Sequence, residues 1–371
     1  MGKCMAIRGE MSSRVKSVKK VTLKDVAEYC GVSPMTVSRI LNNQGLVAKE
    51  TAARIRKAVR QLNYTPNLVA KSLRMNKTHT FGLVMSDGTH LLFGRLIHSI
   101  MEAATEVGYS VLTANTNRNP ELEQRSINLL LDKRIDGLIL CAPYTVNDEE
   151  LERMRDMGIP VVVIMRYGDF PADCIASDND EASYDMVRYL IDNGIRDIYF
   201  LNLPKEHPNG RERWLGCRRA MRDNGLPCSK DRVFHVTPGT WGGYEFMKGL
   251  IERGLRRGAF VCGCDTIAVG GIKAALEAGI DIPGDMQFCG FDDIDLLDFL
   301  NVPLTTMRQR VEEMGRESVR LLVERQGGGA WKSEPARLRL PCDLVVRRST
   351  DAEVSGVAKH AAVPGLHHTK K

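Results

Sequence analysis

No apolar run in these 371 residues approaches the roughly 20 that a membrane-spanning helix needs, and the N-terminus shows no apolar core followed by a cleavage site. The expectation is a cytoplasmic chain that touches no membrane. Enzyme signatures are missing too: there is no Gly-x-Gly-x-x-Gly after a strand, no Gly-x-x-x-x-Gly-Lys-Ser/Thr phosphate loop and no Gly-x-Ser-x-Gly elbow. The ten cysteines form no Cys-x-x-Cys pair. The nearest approach to a metal motif, Cys262-Gly-Cys264, has no second pair to complete it, so neither a metal nor a cofactor is expected and the thiols read as small buried hydrophobes. The last twenty residues carry no apolar heptads, without which a helical tetramer seam cannot form, and a dimer is the expected assembly.

What is present is a pronounced asymmetry of charge. Residues 1–80 hold 16 Lys and Arg against 4 Asp and Glu, a net of +12, whereas the rest of the chain holds 36 against 42, a net of −6. A basic head joined to a mildly acidic body is the footprint of a phosphate-binding module attached to one that does not bind the nucleic-acid backbone. At 43% hydrophobic and 26% charged, the composition is otherwise that of a globular protein long enough for two or three domains.

Within the head, residues 23–42 have the spacing of two short helices crossing steeply. Val26, Cys30, Val32, Val37 and Ile40 are the positions such a pair buries, Ala27 is small where the helices meet, and Gly31 stands where the turn needs a positive φ. Ser33 is suited to cap the second helix and Pro34 to open it, where a missing N–H costs nothing. Met35, Thr36, Ser38 and Arg39 are then left on the outer face, which fits a DNA major groove. A surface helical hairpin of no special function is the competing interpretation, and the charge of the head counts against it. A third helix over 49–62 has Ala52, Ile55, Val59 and Leu62 at helical spacing.

Five segments follow from this pattern: a flexible basic extension or a mistaken upstream start over 1–20, a helix-turn-helix headpiece over 21–66, a hinge helix and linker over 67–79, a two-lobed core over 80–348, and a loose tail over 349–371. In the core, strands at 81–86, 109–114, 137–141 and 160–165, then at 197–202, 232–236, 259–262 and 286–291, alternate with amphipathic helices. One more helix, 311–325, and a strand-like stretch at 337–340 follow. Strict alternation predicts two doubly wound parallel-sheet lobes with a ligand crevice at the carboxyl ends of the strands.

The run Thr22-Leu-Lys-Asp-Val-Ala-Glu-Tyr-Cys-Gly-Val-Ser, continuing Thr36-Val-Ser-Arg-Ile-Leu-Asn42, resembles the LacI/GalR family of bacterial transcription regulators. So do Leu62-Asn-Tyr-Thr-Pro-Asn67, Asp136-Gly-Leu-Ile-Leu140, Gly290-Phe-Asp-Asp293 and Pro303-Leu-Thr-Thr306, in the same order along the chain. The resemblance spans about residues 21–348. It implies a homodimeric regulator, a repressor, whose two headpieces read a pseudo-palindromic operator in double-stranded DNA. The short helix carrying Asn67, Ala70 and Leu73 would fold on the duplex, with Leu73 wedged into the minor groove or serving as hinge packing.

In the major groove the same resemblance puts Pro34 and Met35 on base edges, supported by Thr36, Ser38 and Arg39, with Leu23 and Asn42 also on the DNA side. Ser33, Thr51, Tyr64 and Asn67 match positions that hold phosphates. The core is similar to type I periplasmic sugar-binding proteins, with crossovers near Asp178, Gln309 and Pro341. Its implied effector pocket contains Phe93, Arg166, Arg213, Trp241, Asp265, Asp292 and Gln309, residue types suited to a sugar or sugar acid. Arg213 and Asp292 are expected to face each other across the crevice, and Trp241 is open to a second role in the core or the dimer. Relatives often carry Asn at the position of Cys264 and Asp at that of Met165, so two polar contacts to a neutral sugar are missing, and Arg166 beside Met165 points to an anionic ligand. The alternatives are a sugar-binding protein without a role on DNA, which the basic head opposes, and an enzyme using Asp292 and Asp293, which lacks a nucleophile or cofactor loop.

Overall fold

A computed structural model describes residues 21–41, 48–64, 77–88, 90–141, 147–326 and 334–351. The chain divides into two compact units, one ending at Thr78 and one beginning at His79. Asn42, Asn67, Ala70 and Leu73, with the basic extension and most of the tail, lie outside the described residues.

The first unit contains α1 (Leu23–Tyr29), α2 (Pro34–Leu41) and α3 (Lys49–Gln61). Two of these are barely two turns long and would not hold in water alone, so their stability comes from a shared core. Val26, Val37 and Ile55 are fully excluded from solvent in that core, each contributing about 1.5–3 kcal/mol by burial. Thr22 and Asp25 close a reciprocal cap on α1: Asp25 N–H donates to Thr22 Oγ1 at 3.4 Å and Thr22 N–H to Asp25 Oδ2 at 2.7 Å. Gly31 turns the chain at φ +61°, and Ser33 Oγ accepts from Thr36 N–H at 3.2 Å to start α2.

The second unit holds two six-stranded sheets. The N-lobe sheet is built from β1 (Thr80–Met85), β2 (Ser110–Asn115), β3 (Gly137–Cys141), β4 (Val161–Ile164), β5 (Asp173–Ser177) and β11 (Arg337–Leu340), ordered β11-β5-β4-β3-β1-β2 and all parallel. The C-lobe sheet is built from β6 (Ile198–Asn202), β7 (Val233–His235), β8 (Gly258–Cys262), β9 (Met286–Asp292), β10 (Thr305–Arg308) and β12 (Asp343–Val345). Its order is β12-β10-β9-β8-β6-β7, with β12 alone antiparallel. Helices α4 (Leu91–Glu106), α5 (Pro120–Asp132) and α6 (Asp148–Asp156) connect the first lobe. Helices α7 (Asn179–Asp192), α8 (Pro208–Asp223), α9 (Thr240–Glu252) and α10 (Asp265–Glu277) connect the second, and α11 (Val311–Arg325) returns to pack on α4, where Ser99 Oγ donates to Glu312 O at 2.7 Å.

The chain therefore passes between lobes three times, at Asp178, at Gln309 and at Pro341. Three strands and a helix go beyond the sequence pattern. β5 and β12 have too few apolar residues to register, β10 reads Thr-Thr-Met-Arg, and α6 buries only Leu151 and Met154. The core also runs past residue 348: Ser349 is fully buried, its N–H donating to Pro303 O at 2.9 Å and its hydroxyl to Phe288 O at 2.6 Å. No helix among the described residues is long and apolar enough to cross a membrane.

Candidate functional site

Two surfaces carry chemistry. On the headpiece, α2 buries Val37 and Ile40 and turns Pro34, Met35 and Arg39 outward, with Met35 63% exposed. A thioether so exposed on a helix two turns long has no packing function there, and it leaves an apolar contact beside a guanidinium. Arg39 makes no ion pair among the described residues, so its five donors face solvent. Thr36, Ser38 and Thr51 are half-buried at the edge of this face. Leu23 packs partly on the headpiece core, and Tyr64 is buried in it, which raises the pKa of its phenol.

In the second unit a cleft opens at the carboxyl ends of the strands, enclosing about 550 Å³ of non-atom space, open solvent at its mouth included. The N-lobe supplies Ser86, Asp87, His90, Phe93, Arg118 and Met165, the C-lobe supplies His207, Asn209, Arg213, Cys264 and Asp292, and the crossover supplies Gln309. Four of the seven pocket residues expected from the sequence thus line one cavity: Phe93, Arg213, Asp292 and Gln309.

Asp292 ends β9 at φ +128° and is followed by Asp293 at φ +57°. Such backbone is costly for non-glycine residues, and here it aims two adjacent carboxylates in different directions. Asp292 Oδ1 accepts from Gln309 Nε2 at 2.6 Å, and its Oδ2 lies 3.5 Å from His90 Nε2 across the cleft. Burial holds its pKa above the usual carboxylate range, against the pull of Arg213 and of the Gln309 hydrogen bond. Asp293 turns away to Arg308 Nε at 2.5 Å and Arg347 Nη2 at 2.8 Å, which gives it a structural duty at the turn.

Arg213 and Asp292 do not face each other across the crevice as the sequence suggested, because α8 and β9 both belong to the C-lobe. The Arg213 guanidinium is buried at 6% exposure, lies 3.5 Å over the Phe291 ring, and donates from Nε to Asn179 Oδ1 at 2.9 Å and from Nη1 to the Gly263 carbonyl. His207 precedes α8, and its pKa is pressed down to about 4 by burial and by Arg213, Arg118 and His90.

The other three expected residues lie apart from the cavity lining. Asp265 sits in the protein interior, accepting from Thr306 Oγ1 at 2.5 Å and from Ile294 N–H at 3.0 Å, and burial with neighbouring Asp292 raises its pKa. It ties α10 to the strand ends. Arg166 is stacked over Phe170 at 5.1 Å. Trp241 is 70% exposed on the first turn of α9, edge-on to Tyr244 at 5.6 Å.

Ser86, Asp87, His90, Arg118, His207 and Asn209 were missed. Each lies in a loop or first helical turn just beyond the carboxyl end of a strand, so the general position of ligands in open α/β sheets was the signal available. Among the described residues no group of three or more His, Cys, Asp and Glu side chains is placed to hold a metal.

Comparison with known proteins agrees with both surfaces. Residues 22–67 match the family described as bacterial regulatory proteins, lacI family, and residues 78–348 match periplasmic binding proteins and sugar binding domain of LacI family. The HTH-type transcriptional repressor PurR of Actinobacillus pleuropneumoniae serotype 3 (strain JL03) is 33% identical over 331 residues, 88% of this chain and 98% of that protein. The lac repressor dimer bound to operator and the anti-inducer ONPF superposes with a TM-score of 0.80 at 26% identity, covering 90% of this chain and 99% of that one. The transcriptional regulator CelR–cellobiose complex gives 0.67 at 27% identity, covering 89% and 100%.

Proposed function

The chain belongs to the LacI family of bacterial regulatory proteins, DNA-binding repressors and not enzymes, and we infer from its two surfaces which residues read DNA and which sense the effector. The observation that carries this inference is the outward face of α2, with Met35 and Arg39 exposed on a headpiece whose charge is strongly positive. Arg39 is proposed to make the bidentate contact to guanine, Pro34 and Met35 apolar contacts to thymine methyl groups, and Ser33 and Thr51 the phosphate contacts that set register. A homodimer would present two such helices to inverted half-sites, as the lac repressor dimer does on its operator. The protein is proposed to act in the cytoplasm.

The cleft between the lobes is proposed as the effector site. Phe93 offers an apolar face, Asp292 and Gln309 take hydroxyl groups, and Arg213 donates, which suits a small sugar-like molecule whose binding changes the closure of the lobes. A ligand alters affinity for DNA only through contacts that differ between open and closed forms, and a cleft lined from both lobes provides them. Trp241, three residues after Pro238 on the cleft wall, would cover the ligand on closure.

Selection of duplexes from a random pool with the full-length chain tests the reading. The expected product is two inverted half-sites about one helical turn apart, bound with an affinity that falls steeply with salt as phosphate contacts release counterions. Enrichment of unsymmetrical sites, or none, would refute it. Leu73→Ala, in the segment resembling the family's minor-groove wedge, is expected to weaken that binding strongly.

A further inference from the structure

The charge in the cleft does not balance for a neutral sugar. Arg118 Nη2 is paired with Asp87 Oδ2 at 2.8 Å, so those two charges cancel. Arg213 has no such partner. Its Nε and Nη1 donate to an amide oxygen and a backbone carbonyl, and Nη2 makes no hydrogen bond among the described residues although the side chain is more than nine-tenths buried and lines the cavity. A guanidinium held in a protein interior by neutral acceptors is a costly arrangement unless an anion completes it. Asp292 does not play that part, because Gln309 and His90 already engage its two oxygens.

Resting on the effector reading above, we propose that the occupant of the cleft is a small polyhydroxy molecule bearing an oxyanion group, a carboxylate or a phosphate, seated against Arg213, His207 and Arg118. Arg213 and His207 approach from the C-lobe and Arg118 from the N-lobe. The anion is therefore shared between lobes, and its charge draws them together. Donors converge on the same corner: the free Nη2 of Arg213, the Asn209 side chain, and the unpaired N–H groups of the first turn of the sixteen-residue α8. Guanidinium and helix-end donors match the geometry of a planar carboxylate or a phosphate better than that of separate hydroxyls. Arg166, the residue whose sequence position suggested an anion, has no part in this.

The geometry has a proton consequence. His207 is surrounded by Arg213, Arg118 and His90, and Asp87 and Asp292 are the carboxylates that share its cavity. It is neutral with the cleft empty, its pKa held near 4 by burial and then by those cations. An oxyanion beside it favours the imidazolium and raises that pKa. The complex then binds a proton more tightly than the free protein, so affinity is highest at low pH and declines as pH rises from the free value through that of the complex. His90, faced by Asp87, Asp265, Asp292, Arg213 and Arg118, is also lowered by burial, and its proximity to Asp292 makes it the weaker responder.

Calorimetry on the full-length chain tests this with gluconate, glucose 6-phosphate, glucose and inorganic sulfate as probes, at about pH 5.5 and about pH 8, the range in which histidine titrates. Gluconate and sulfate keep a constant charge over that interval, which isolates the protein's own proton. At least one acidic sugar is expected to bind about tenfold or more tightly than glucose, the gluconate and glucose 6-phosphate arms separating carboxylate from phosphate. A single histidine that moves by one pKa unit gives about a tenfold loss of affinity toward high pH, with net proton uptake measured in two buffers of different ionisation enthalpy. Arg213→Gln is expected to abolish the preference for acid over neutral sugar, and His207→Gln to flatten the pH dependence, with thermal unfolding confirming that both variants fold. Glucose binding as tightly as its acidic counterparts, binding of the acids without proton uptake, or no binding of any acidic probe by about ten millimolar overturns the proposal. Operator selection on the same preparation reports separately on the regulator reading, so a protein that binds operator but prefers glucose refutes only the anion.

Discussion

His90 and Asp292 meet across the cleft, Nε2 to Oδ2 at 3.5 Å, one from each lobe. Burial lowers the pKa of the imidazole and raises that of the carboxyl, so desolvation works against charge on both partners of this contact. It is best described as a desolvated polar contact that a ligand entering the cleft must displace or bridge. The pair, with Gln309 on the other oxygen of Asp292, links N-lobe, C-lobe and crossover through one carboxylate.

The first prediction follows from that carboxylate. Its pKa is raised in the folded state above an ordinary value of about 3.8, so the folded chain retains a proton that the unfolded chain has released. The resulting stability is fully present below the unfolded value and lost as pH rises through the folded one. Asp292→Asn keeps an oxygen for Gln309 and removes the ionisation. Thermal unfolding is expected to show the variant more stable than the parent by roughly 2 to 4 °C at about pH 8, with the difference vanishing at about pH 4.

Arg39→Ala should relax base preference at one position in each half-site by about 1–3 kcal/mol while the headpiece stays folded, since Arg39 is exposed and carries no structural bond. Binding titrations on a panel of single-base operator variants measure this. Uniform weakening across the panel would instead make Arg39 a phosphate contact.

Ile55→Ala removes a fully buried side chain from a headpiece held by few others, at a cost of about 2–5 kcal/mol. The expected result is loss of operator binding with the thermal transition of the second unit unchanged. Headpiece amides should exchange rapidly in the variant and those of β3 and β8 should not.

Gly216 allows α7 and α8 to touch. A methyl group there would collide with the Asp180 carbonyl, so Gly216→Ala must push α8 away from α7. Because Arg213 on α8 bonds to Asn179 on α7, the variant should weaken effector binding about tenfold without any contact to the ligand. Calorimetry on Gly216→Ala and Gly216→Ser, with the second worse than the first, checks it.

Architecture was legible wherever periodicity was strong. β3 at 137–141 and α11 at 311–325 have the bounds that apolar spacing implies, and the headpiece core of Val26, Ala27, Cys30, Val37 and Ile40 is the one the helix-turn-helix pattern requires. Legibility failed at β5, β10 and β12, where neighbouring strands satisfy the backbone and the residues themselves signal little. At the cleft, Phe93, Arg213, Asp292 and Gln309 could be identified by resemblance. His90, His207 and Arg118 could not, because they come from loops whose length and path spacing does not reveal. Asp265 illustrates the opposite error: a carboxylate beside the strand ends looked like a ligand group, whereas Thr306 and the Ile294 amide already use both of its oxygens.

The triple passage between lobes also orders events during synthesis. The headpiece is complete once Tyr64 has left the ribosome, but the N-lobe sheet lacks its edge strand β11 until Leu340 has emerged, and α4 lacks its cover until α11 has. Translation must therefore deliver almost all of the C-lobe before the N-lobe can close, so a nascent chain carries a folded headpiece well before it carries a sensor. A ribosome stalled between these points would hold a headpiece with no working cleft, leaving chaperones to cover the open edge of β5.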